Sequence, residues 1–463
     1  MDEFSARTRE RNLERLASEQ FDVLVVGGGI TGAGVALDAV TRGLTVGLVE
    51  RGDFACGTSS KSSRFVHGGL RYLAHGELGL VRESLHERAH LRRMAPHLVK
   101  PLPFLIPIER DASRRTALTM DAAMALYDVL GGSRLNGRRA QAAPEELAAR
   151  SPALDTRRMR RAHIYWEAAV DDARLTLSVV QTAARHGAVV ANYCGVTALI
   201  DGGARCDGFD VRARAVVNAT GVWSDELRGG AEVHVRPAKG VHIAVPRDRI
   251  PGDVALMLPL GRGRFVFTCP WGPVTFIGTT DTDYDGPLDS PRPEEHEIED
   301  LLERINPWLR QPLAREDVVG AYAGLRPLAA ARDAATADLS RRHRLDVDGP
   351  LVTITGGKLT TWRRMAVDTV DVVGRVLARE LPRTRTTTLA LEGVDRAARV
   401  RGLGLDAPLI EGLPYVEGDV VHAARHEMAL TVEDILERRT RACVETRDGG
   451  RSAAARIEEL LHA

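Results

Sequence analysis

The fold is decided by residues 21–50, FDVLVVGGGITGAGVALDAVTRGLTVGLVE. The apolar run 23–26 predicts a buried parallel strand that leads directly into the motif Gly-x-Gly-x-x-Gly at 27–32. The first glycine allows a tight turn, the second lets a pyrophosphate approach the backbone, and the third lets the next helix pack closely on the sheet. A second apolar strand, 44–49, ends in Glu50, where a carboxylate can accept hydrogen bonds from an adenosine ribose. This unit predicts a dinucleotide-binding fold rather than glycines that serve packing alone, and its acid argues against the 2′-phosphate of NADP.

The composition of the 463-residue chain is that of an ordinary globular protein, with a core large enough for two or three domains. Lys and Arg together number 63, and so do Asp and Glu, so the net charge gives no attraction toward nucleic acid. The five cysteines form no Cys-x-x-Cys pair, which indicates a reducing compartment and no metal site. The charged start of the chain is no secretory signal, and no apolar run reaches the roughly 18 residues of a membrane span. A cytoplasmic protein is therefore expected.

The segment after the first strand–helix–strand unit carries candidate ligand-binding chemistry. Residues 57–63, GTSSKSS, are small and rich in hydroxyl groups, so they can wrap closely around a cofactor. His67, Arg71 and Tyr72 follow within one short stretch, a mixture that suits an anionic ligand beside an acid–base group. Taken alone, His67 is more often a hydrogen-bonded structural residue than a base.

Three later segments add small or cationic residues. An apolar strand ending in Asn-Ala-Thr-Gly at 218–221 indicates a second strand that returns near the cofactor. Arg326 lies between apolar residues and before a proline, which indicates either a ligand contact or a structural ion pair. At 351–365, LVTITGGKLTTWRRM, a strand, a Gly-Gly turn and a helix predict a helix N-terminus aimed at a polar or anionic group, and Lys358 adds a movable charge.

The motifs that decide the family run in order from about residue 21 to 441. They are GGGITGAGVALDAVTRGL, TSSKSSRFVHGGLRYL, VDDARL, NATGVW, KGVHIAVP, IGTTDTDY, GLRPL, GGKLTTWR and HEMALTVEDILERRTR. Together they resemble FAD-dependent glycerol-3-phosphate dehydrogenase of the bacterial aerobic type, and HGGLRYL and GGKLTTWR are the most specific among them. The resemblance implies oxidation of glycerol 3-phosphate with FAD, a quinone as electron acceptor, a possible homodimer, and peripheral contact with the inner face of the cell membrane.

The resemblance also implies roles for individual residues. The residues that would hold FAD are Gly27, Gly29, Gly32, Glu50, Thr58, Ser59, Ser60, Ser62, Ala219, Gly221, Gly357, Lys358, Leu359 and Thr360. The residues that would bind the substrate, above all its phosphate, are Arg71, Tyr72, Arg326, Lys358 and Thr280. The catalytic residues would be His67, His242, Arg326 and Lys358. The sequence leaves the base open between the two histidines, and His67 is favoured because it shares a segment with Arg71.

The fold that the resemblance implies is α/β. It combines a Rossmann-type FAD-binding domain, like those of glutathione reductase and D-amino-acid oxidase, with an antiparallel-sheet substrate domain and a C-terminal helical cap. The expected division is a solvated leader helix at 1–20, an FAD-dependent oxidoreductase domain at 21–388 and the cap at 389–463. The FAD-binding parts would be about 21–95, 165–230 and 320–388, and the substrate sheet about 97–164 and 231–319.

Other functions stay open at this point. One is a glycerol-3-phosphate oxidase that uses O2, although the chain has no room for the extra internal insertion typical of those oxidases. Another is an inactive flavin-binding regulatory protein, favoured only by a cap that is short for the family between about 391 and 415. Amino-acid oxidation on a similar fold would give no reason for two arginines and a lysine at the site.

Overall fold

The structure of the protein is a computed structural model. It describes residues 4–73, 76–132, 137, 139–229, 235–261, 264–329, 342–393, 400 and 402–462. The strands are β1 (Gln20–Val26), β2 (Val46–Val49), β3 (Phe65–Val66), β4 (Lys100–Glu109), β5 (Ala140–Ala142), β6 (Met159–Ala169), β7 (Val189–Ala191), β8 (Val196–Ile200), β9 (Gly203–Cys206), β10 (Phe209–Asn218), β11 (Val235–Pro246), β12 (Ala255–Pro259), β13 (Phe265–Trp271), β14 (Val274–Gly278), β15 (Thr282–Asp283), β16 (Gly320–Ala329), β17 (His343–Asp348) and β18 (Leu351–Gly356).

Helices connect these strands and form the C-terminal part of the chain. The α-helices are α1 (Ala6–Ser18), α2 (Ile30–Thr41), α3 (Leu78–Met94), α4 (Arg114–Gly131), α5 (Pro144–Arg150), α6 (Asp172–Arg185), α7 (Ser224–Arg228), α8 (Glu295–Ile305), α9 (Trp362–Val376), α10 (Glu417–His426), α11 (Ala442–Glu445) and α12 (Ala454–Leu461). Short 3-10 helices lie at Thr58–Ser60, Leu70–Leu73, Thr156–Arg158, Gly221–Trp223, Asn306–Trp308, Arg315–Asp317, Leu359–Thr361 and Arg451–Ala453, and Asp434–Arg439 is a π-helix.

The first sheet has a parallel centre in the order β18-β10-β1-β2-β7. Strand β17 adds antiparallel to β18, and the hairpin of β8 and β9 attaches to β10. Alternate residues of β1 enter cores on opposite faces: Val23 and Val25 pack with α2, α6 and α9, while Leu24 packs with α1. Both faces are covered, which explains why β1 is an almost continuous apolar run.

The second sheet is mostly antiparallel and runs in the order β15-β11-β14-β13-β12-β4-β6-β3, with β16 beside β11 and β5 beside β6. Among the strands that the structure describes, the one parallel pair in this sheet is β12 with β4. Helix α8 covers one face through Leu301 and Ile305, and helices α3 and α4 cover the other through Leu85 and Tyr127. The sheet therefore has a core of its own on each side.

Two strands pair outside the division of the chain that the sequence suggested. Strands β3 and β16 lie in segments expected to bind FAD, yet both pair with strands of the second sheet. Strand β16 pairs along most of β11, and Gly324 in it lies so close to Lys61 that a Cβ would come within 2.5 Å of the Lys61 carbonyl oxygen. Segments that were expected to bind FAD therefore also supply strands to the second sheet. Pairing between strands that are far apart in the chain leaves no local sequence signal.

The N-terminal helix α1 packs on the first sheet, whereas a solvated leader helix was expected. Leu16 is fully buried against the sheet. Asn12 Nδ2 donates to the Val190 carbonyl oxygen at 2.8 Å, and Arg9 donates to the carbonyl oxygens of Asn192 and Tyr193. Polar residues of a helix expected to be solvated thus bind carbonyl groups within and just after β7.

The C-terminal helices α10 to α12 enclose a small core that includes Val420, Ile435 and Ile457. Leu391, within the expected cap, instead packs in the core of the first sheet. In the part of the chain that the structure describes, no helix has the length and hydropathy needed to cross a membrane.

Candidate active site

Two adjoining cavities lie where the carboxyl ends of the parallel strands face the second sheet. The larger cavity, of about 440 Å³, is lined by the turn after β1, the end of β2 and the loop after β10. The smaller cavity, of about 210 Å³, is lined by residues next to β3 and within β11 and β16. Their shared wall consists of Ile30, Thr58, Ser59, Pro327, Gly357, Lys358 and Leu359. Open α/β sheets commonly bind ligands in a crevice at this end of the strands.

The turn after β1 presents backbone rather than side chains to the larger cavity. Gly27 has a φ of 110°, and a Cβ there would lie 2.7 Å from the carbonyl oxygen of Ala219. A Cβ on Gly32 would lie 1.9 Å from the carbonyl oxygen of Gly27, so α2 can approach β1 this closely only with glycine. Gly29 is the N-cap of α2 and lines the cavity. The positive end of the α2 dipole therefore faces the larger cavity.

Glu50 places a carboxylate on the wall of the same cavity. Its Oε2 accepts the Gly28 N–H at 2.7 Å, and its Oε1 accepts the Gly52 N–H at 2.9 Å. Oε1 also accepts from the Cys56 thiol at 3.6 Å, whereas Oε2 keeps a second lone pair that can accept from a ribose hydroxyl. The glycine cradle, the helix N-terminus and this carboxylate fit the adenosine diphosphate part of a dinucleotide, and the volume lies within the roughly 300–1,000 Å³ of cofactor sites.

The hydroxyl-rich segment 57–63 runs along both cavities. Ser59 Oγ accepts the Ile30 N–H at 2.9 Å, and Thr58 Oγ1 donates to the Leu325 carbonyl oxygen at 2.6 Å. The Ser62 N–H is donated to Asp172 at 2.9 Å. The segment is thus tied to α2, β16 and α6 at once, which fixes the wall that the two cavities share.

The smaller cavity brings together the titratable side chains that the sequence singled out. His67, Tyr72, His242, Arg326 and Lys358 all line it. They come from the segment after β3, the 3-10 helix that follows, β11, β16 and the loop after β18. Lys61 lines the cavity as well, so three cations and two imidazoles surround this small space, and they suit an anionic ligand with a proton acceptor beside it.

The segments of His67 and Lys358 hold each other at the cavity wall. The backbone N–H of His67 donates to Thr360 Oγ1 at 3.2 Å. Lys358 Nζ donates to Ser84 Oγ at 2.9 Å and lies 4.3 Å from the centre of the Tyr72 ring. The motifs HGGLRYL and GGKLTTWR, the most specific for the family, therefore contact each other, although nearly 300 residues separate them.

Arg326 is oriented by an ion pair at the edge of the smaller cavity. Its Nη1 donates to Asp281 at 2.9 Å, and its Nη2 donates to Thr279 Oγ1 at 3.1 Å. The guanidinium still lines the cavity and is 21% exposed. The two alternatives from the sequence, a ligand contact and a structural ion pair, are therefore compatible.

His242 is buried and closely held. Its ring stacks on Tyr322 with 4.8 Å between ring centres, and its Nε2 lies 2.8 Å from Ser63 Oγ. Among the described residues its Nδ1 has no hydrogen-bond partner. Burial, followed by the positive charges of Arg326 and Arg64, lowers the pKa of His242 from 6.5 to about 3. The imidazole is neutral at physiological pH.

Some residues expected at the site lie elsewhere. Gly32 and Ser60 are buried behind the cavity walls and line neither cavity. Thr280 is also buried, and its hydroxyl accepts the Val241 N–H at 2.9 Å. Arg71 belongs to the 3-10 helix Leu70–Leu73, and its side chain lies outside the described part of the structure. The other expected residues line one cavity or both.

Three residues at the site were not singled out from the sequence. Ser63 contacts His242, and Tyr322 stacks on the same ring. Trp223 lines the larger cavity under the guanidinium of Arg51. Ser63 and Trp223 belong to motifs already noted, but only the pairing of β11 with β16 places Tyr322 opposite His242.

Comparison with known proteins agrees with this geometry. Residues 22–357 match the family model described as FAD dependent oxidoreductase, and residues 384–463 match that of the C-terminal domain of alpha-glycerophosphate oxidase. Glycerol-3-phosphate dehydrogenase 2 of Mycobacterium tuberculosis is 39% identical over 502 aligned residues, which cover 97% of this chain and 85% of the relative. The mitochondrial glycerol-3-phosphate dehydrogenase of Homo sapiens is 34% identical, with 98% and 72% covered.

Solved structures show the same fold. Glycerol-3-phosphate dehydrogenase from Bacillus halodurans, solved in complex with FAD, superposes with a TM-score of 0.74 at 28% identity and covers 99% of this chain and 98% of its own. The L-alpha-glycerophosphate oxidase of Mycoplasma pneumoniae, at 17% identity and a TM-score of 0.62, shares the fold over 81% of this chain and all of its own. The expected Rossmann-type architecture with a C-terminal helical domain is confirmed. Since the oxidoreductase model matches most of the chain and the dehydrogenases align with nearly all of it, the chain belongs to the FAD-dependent glycerol-3-phosphate dehydrogenase family.

Proposed function

We propose that this protein oxidises sn-glycerol 3-phosphate to dihydroxyacetone phosphate with FAD as its cofactor and passes the electrons to a membrane quinone. The observation that carries the proposal is the smaller cavity, where Arg326, Lys358 and His67 meet on a wall shared with the cavity that fits FAD. Relatives that align with nearly the whole chain are named for this dehydrogenase activity.

The larger cavity would hold most of the cofactor. Gly27, Gly29 and Glu50 would bind its adenosine diphosphate part, while Gly357 and Lys358 would meet its flavin end on the wall that both cavities share. The other residues that would line the cofactor are Thr58, Ser59, Ala219, Gly221 and Leu359 from the larger cavity and Ser62 and Thr360 from the smaller. When bound, FAD supplies the acceptor for a hydride from carbon 2 of the substrate.

The cations of the smaller cavity would bind the phosphate. A phosphate dianion favours charge-assisted hydrogen bonds, and Arg forms them as a planar fork whereas Lys acts as a point charge. Asp281 and Thr279 hold the Arg326 guanidinium at the wall, and Ser84 holds the Lys358 ammonium. Side chains fixed in this way lose little further freedom on binding, so they can orient the carbinol group as well as attract the phosphate.

We propose His67 as the base that takes the hydroxyl proton. It lines the smaller cavity and its backbone is fixed by Thr360. His242 lines the cavity too, but its pKa of about 3 makes it a weak base, and its Nε2 is engaged by Ser63. A general base works best with a pKa near the working pH. His242 would instead form a neutral, rigid wall behind the substrate.

Anaerobic reduction of the purified flavoprotein tests the proposal. A substrate panel of glycerol 3-phosphate, glycerol, glycine and L-proline would be mixed with the protein in the absence of air, and loss of oxidised flavin absorbance would be followed. We expect rapid bleaching with glycerol 3-phosphate alone. Bleaching by glycerol or an amino acid, but not by the phosphomonoester, would contradict the phosphate-binding role of the cations.

An oxidase is the second candidate, because the matched C-terminal domain is described from an alpha-glycerophosphate oxidase. The two activities differ in the electron acceptor. To separate them, turnover with a soluble quinone analogue is compared with turnover in air. In air, the measured quantity is the hydrogen peroxide released per glycerol 3-phosphate consumed. We expect quinone reduction and little peroxide; one peroxide per substrate would favour the oxidase.

The outer face of α4 supports contact with a membrane surface, where a quinone acceptor resides. Leu118 is 67% exposed and Val129 is 77% exposed, and Leu126 between them is also exposed. These residues recur at helical spacing, while Met124 and Tyr127 bury the opposite face. Arg114 and Arg115 begin the helix and can meet anionic headgroups. An amphipathic helix with basic residues at its first turn suits the plane of a bilayer interface.

Sedimentation with anionic phospholipid vesicles tests this contact. The double variant Leu118→Ser/Val129→Ser should lose most vesicle binding, since each substitution removes apolar surface that would enter the interface. Val347→Ser is the matched control, because Val347 is similarly exposed but lies on β17. Equal vesicle binding by the double variant and the wild type would show that α4 is not the contact.

A further inference from the structure

We infer that three arginines of the C-terminal domain, Arg438, Arg439 and Arg441, position the two loops that line the cavities, so that this domain completes the cofactor site. The inference rests on the proposed binding of FAD and goes beyond it by assigning residues outside both cavities. The loops are 50–56, after β2, and 57–63, which runs into β3. The arginines lie at the end of the π-helix and just before α11.

Arg441 reaches across the domain boundary to segment 57–63. Its side chain is 3% exposed. Its Nη1 donates to the carbonyl oxygen of Ser60 at 3.0 Å. Its Nη2 donates to Asp171 at 2.6 Å and also to Asp172. One guanidinium thus binds the loop directly and also binds the two carboxylates at the start of α6.

Asp172 links Arg441 to a second point of segment 57–63, the backbone of Ser62. Its Oδ1 accepts from Arg441, while its Oδ2 accepts the Ser62 N–H at 2.9 Å. The carbonyl oxygen of Ser62 accepts from the Tyr322 hydroxyl at 2.9 Å. The backbone at Ser62 is therefore held on both sides, and Ser63, the partner of His242, follows immediately.

Arg438 and Arg439 act on the other loop through one carboxylate. Asp53 is buried, and its Oδ2 accepts from Arg438 Nε at 2.7 Å and from Arg439 Nη1 at 2.7 Å. Within the same loop, the Ala55 N–H is donated to the carbonyl oxygen of Gly28 at 3.1 Å. The loop thus connects the C-terminal arginines to the glycine turn, and Glu50 and Cys56 at its ends line the larger cavity.

The arrangement differs from an ion pair that only joins two domains. Arg174 of α6 makes such a pair with Glu427, at 2.6 Å for each of two hydrogen bonds, and neither residue lines either of the two cavities. Glu427 also contacts Arg439, but that contact does not involve the Arg174 side chain. Arg441, by contrast, donates to a loop carbonyl group and to the carboxylate that accepts a loop N–H. The Arg174 pair supplies a matched control for domain cohesion.

The test compares Arg441→Met with Arg174→Met, and uses FAD affinity and hydrogen exchange rather than turnover as readouts. Apoprotein would be titrated with FAD, and exchange of backbone amides in 57–66 would be measured with and without FAD. We expect Arg441→Met to raise the FAD dissociation constant about tenfold or more, because charge-assisted hydrogen bonds that fix the loop are lost. Exchange in 57–66 of the apoprotein should accelerate. Arg174→Met should leave both quantities close to wild type.

Two further variants keep the inference testable if Arg441→Met does not fold. Arg441→Lys keeps the charge but cannot reach three acceptors as a fork, so it should recover only part of the affinity. Asp172→Asn keeps an oxygen for Ser62 N–H but removes the charge that Arg441 binds, and it should weaken FAD binding in the same direction. Equal effects of the Arg441 and Arg174 variants, or unchanged exchange in 57–66, would overturn the inference. Wild-type protein that does not bind FAD would instead refute the proposed function.

Discussion

The larger and smaller cavities share a wall but are built in different ways. The larger is shaped mainly by the glycine turn, the helix N-terminus and Glu50, all within residues 27–50, and it is completed by the loops after β7, β10 and β18. The smaller brings together titratable side chains from five separate segments, and its cations Arg326 and Lys358 are each held by a neighbour. Under the proposed function, backbone shape would bind a cofactor that is the same for many reactions, whereas the side chains would select the substrate. Substitutions should therefore act on FAD binding in the first cavity and on the rate in the second.

The largest effect is expected at the glycine turn. Gly32→Ala would place a Cβ 1.9 Å from a carbonyl oxygen, so that α2 must move away from β1. The overpacking costs about 1–3 kcal/mol or more, and the displaced helix no longer faces the pyrophosphate. We expect protein purified without flavin absorbance. Gly79→Ala is the control, because a Cβ in that first turn of α3 meets nothing within 4 Å. A yellow Gly32→Ala protein would show that this turn is not needed for FAD.

The next largest effect is expected for the base of the smaller cavity. His67→Asn should slow anaerobic flavin reduction by glycerol 3-phosphate about 10²- to 10⁴-fold, the usual contribution of a general base. FAD content should not change, because the N–H that binds Thr360 belongs to the backbone. Stopped-flow absorbance measures the rate, and the exposed His296→Asn serves as the control. If His242→Asn is the slower variant, the assignment of the base must be reversed.

A smaller effect is expected for the phosphate. Arg326→Gln should lower kcat/KM for glycerol 3-phosphate about a hundredfold, within the 2–5 kcal/mol typical of losing one partner of a buried charge pair. Activity with unphosphorylated glycerol should be almost unchanged, so discrimination between the two substrates should fall by the same factor. Arg236→Gln is the control, since Arg236 makes an exposed ion pair on β11. Equal losses with both substrates would assign Arg326 a structural role alone.

The two cavities also differ in how much of each could be predicted from the sequence. The larger cavity could be predicted because its turn, helix and carboxylate are contiguous in 27–50. The candidate residues of the smaller cavity could be named, because a histidine, an arginine and a lysine in apolar or glycine-rich surroundings are chemically conspicuous. Their arrangement could not be predicted, because it depends on β16 pairing with β11 and on α3 lying under the loop after β18.

The misplaced expectations have the same origin. Thr280 lies in a motif, yet its hydroxyl is used by the Val241 N–H across the sheet. Helix α1 has a polar sequence, yet its Asn12 and Arg9 bind carbonyl groups within and just after β7. In each case a polar side chain satisfies a distant backbone group, and that partner is decided by tertiary structure.

The smallest effect is expected in the pH dependence of the free energy of unfolding, through His242 of the smaller cavity. His242 in the smaller cavity has a pKa of about 3 when folded, against 6.5 for an ordinary histidine. Below pH 6.5 the unfolded chain binds a proton that the folded protein does not, so falling pH favours unfolding until about pH 3. Between pH 7 and pH 5 this residue should lower the free energy of unfolding by about 2 kcal/mol. Urea unfolding of the wild type and of His242→Asn at the two pH values measures the difference, and His296→Asn should retain the wild-type slope. A His242→Asn protein with the same loss between pH 7 and pH 5 as the wild type would show that His242 is not held neutral, and would restore it as a candidate base.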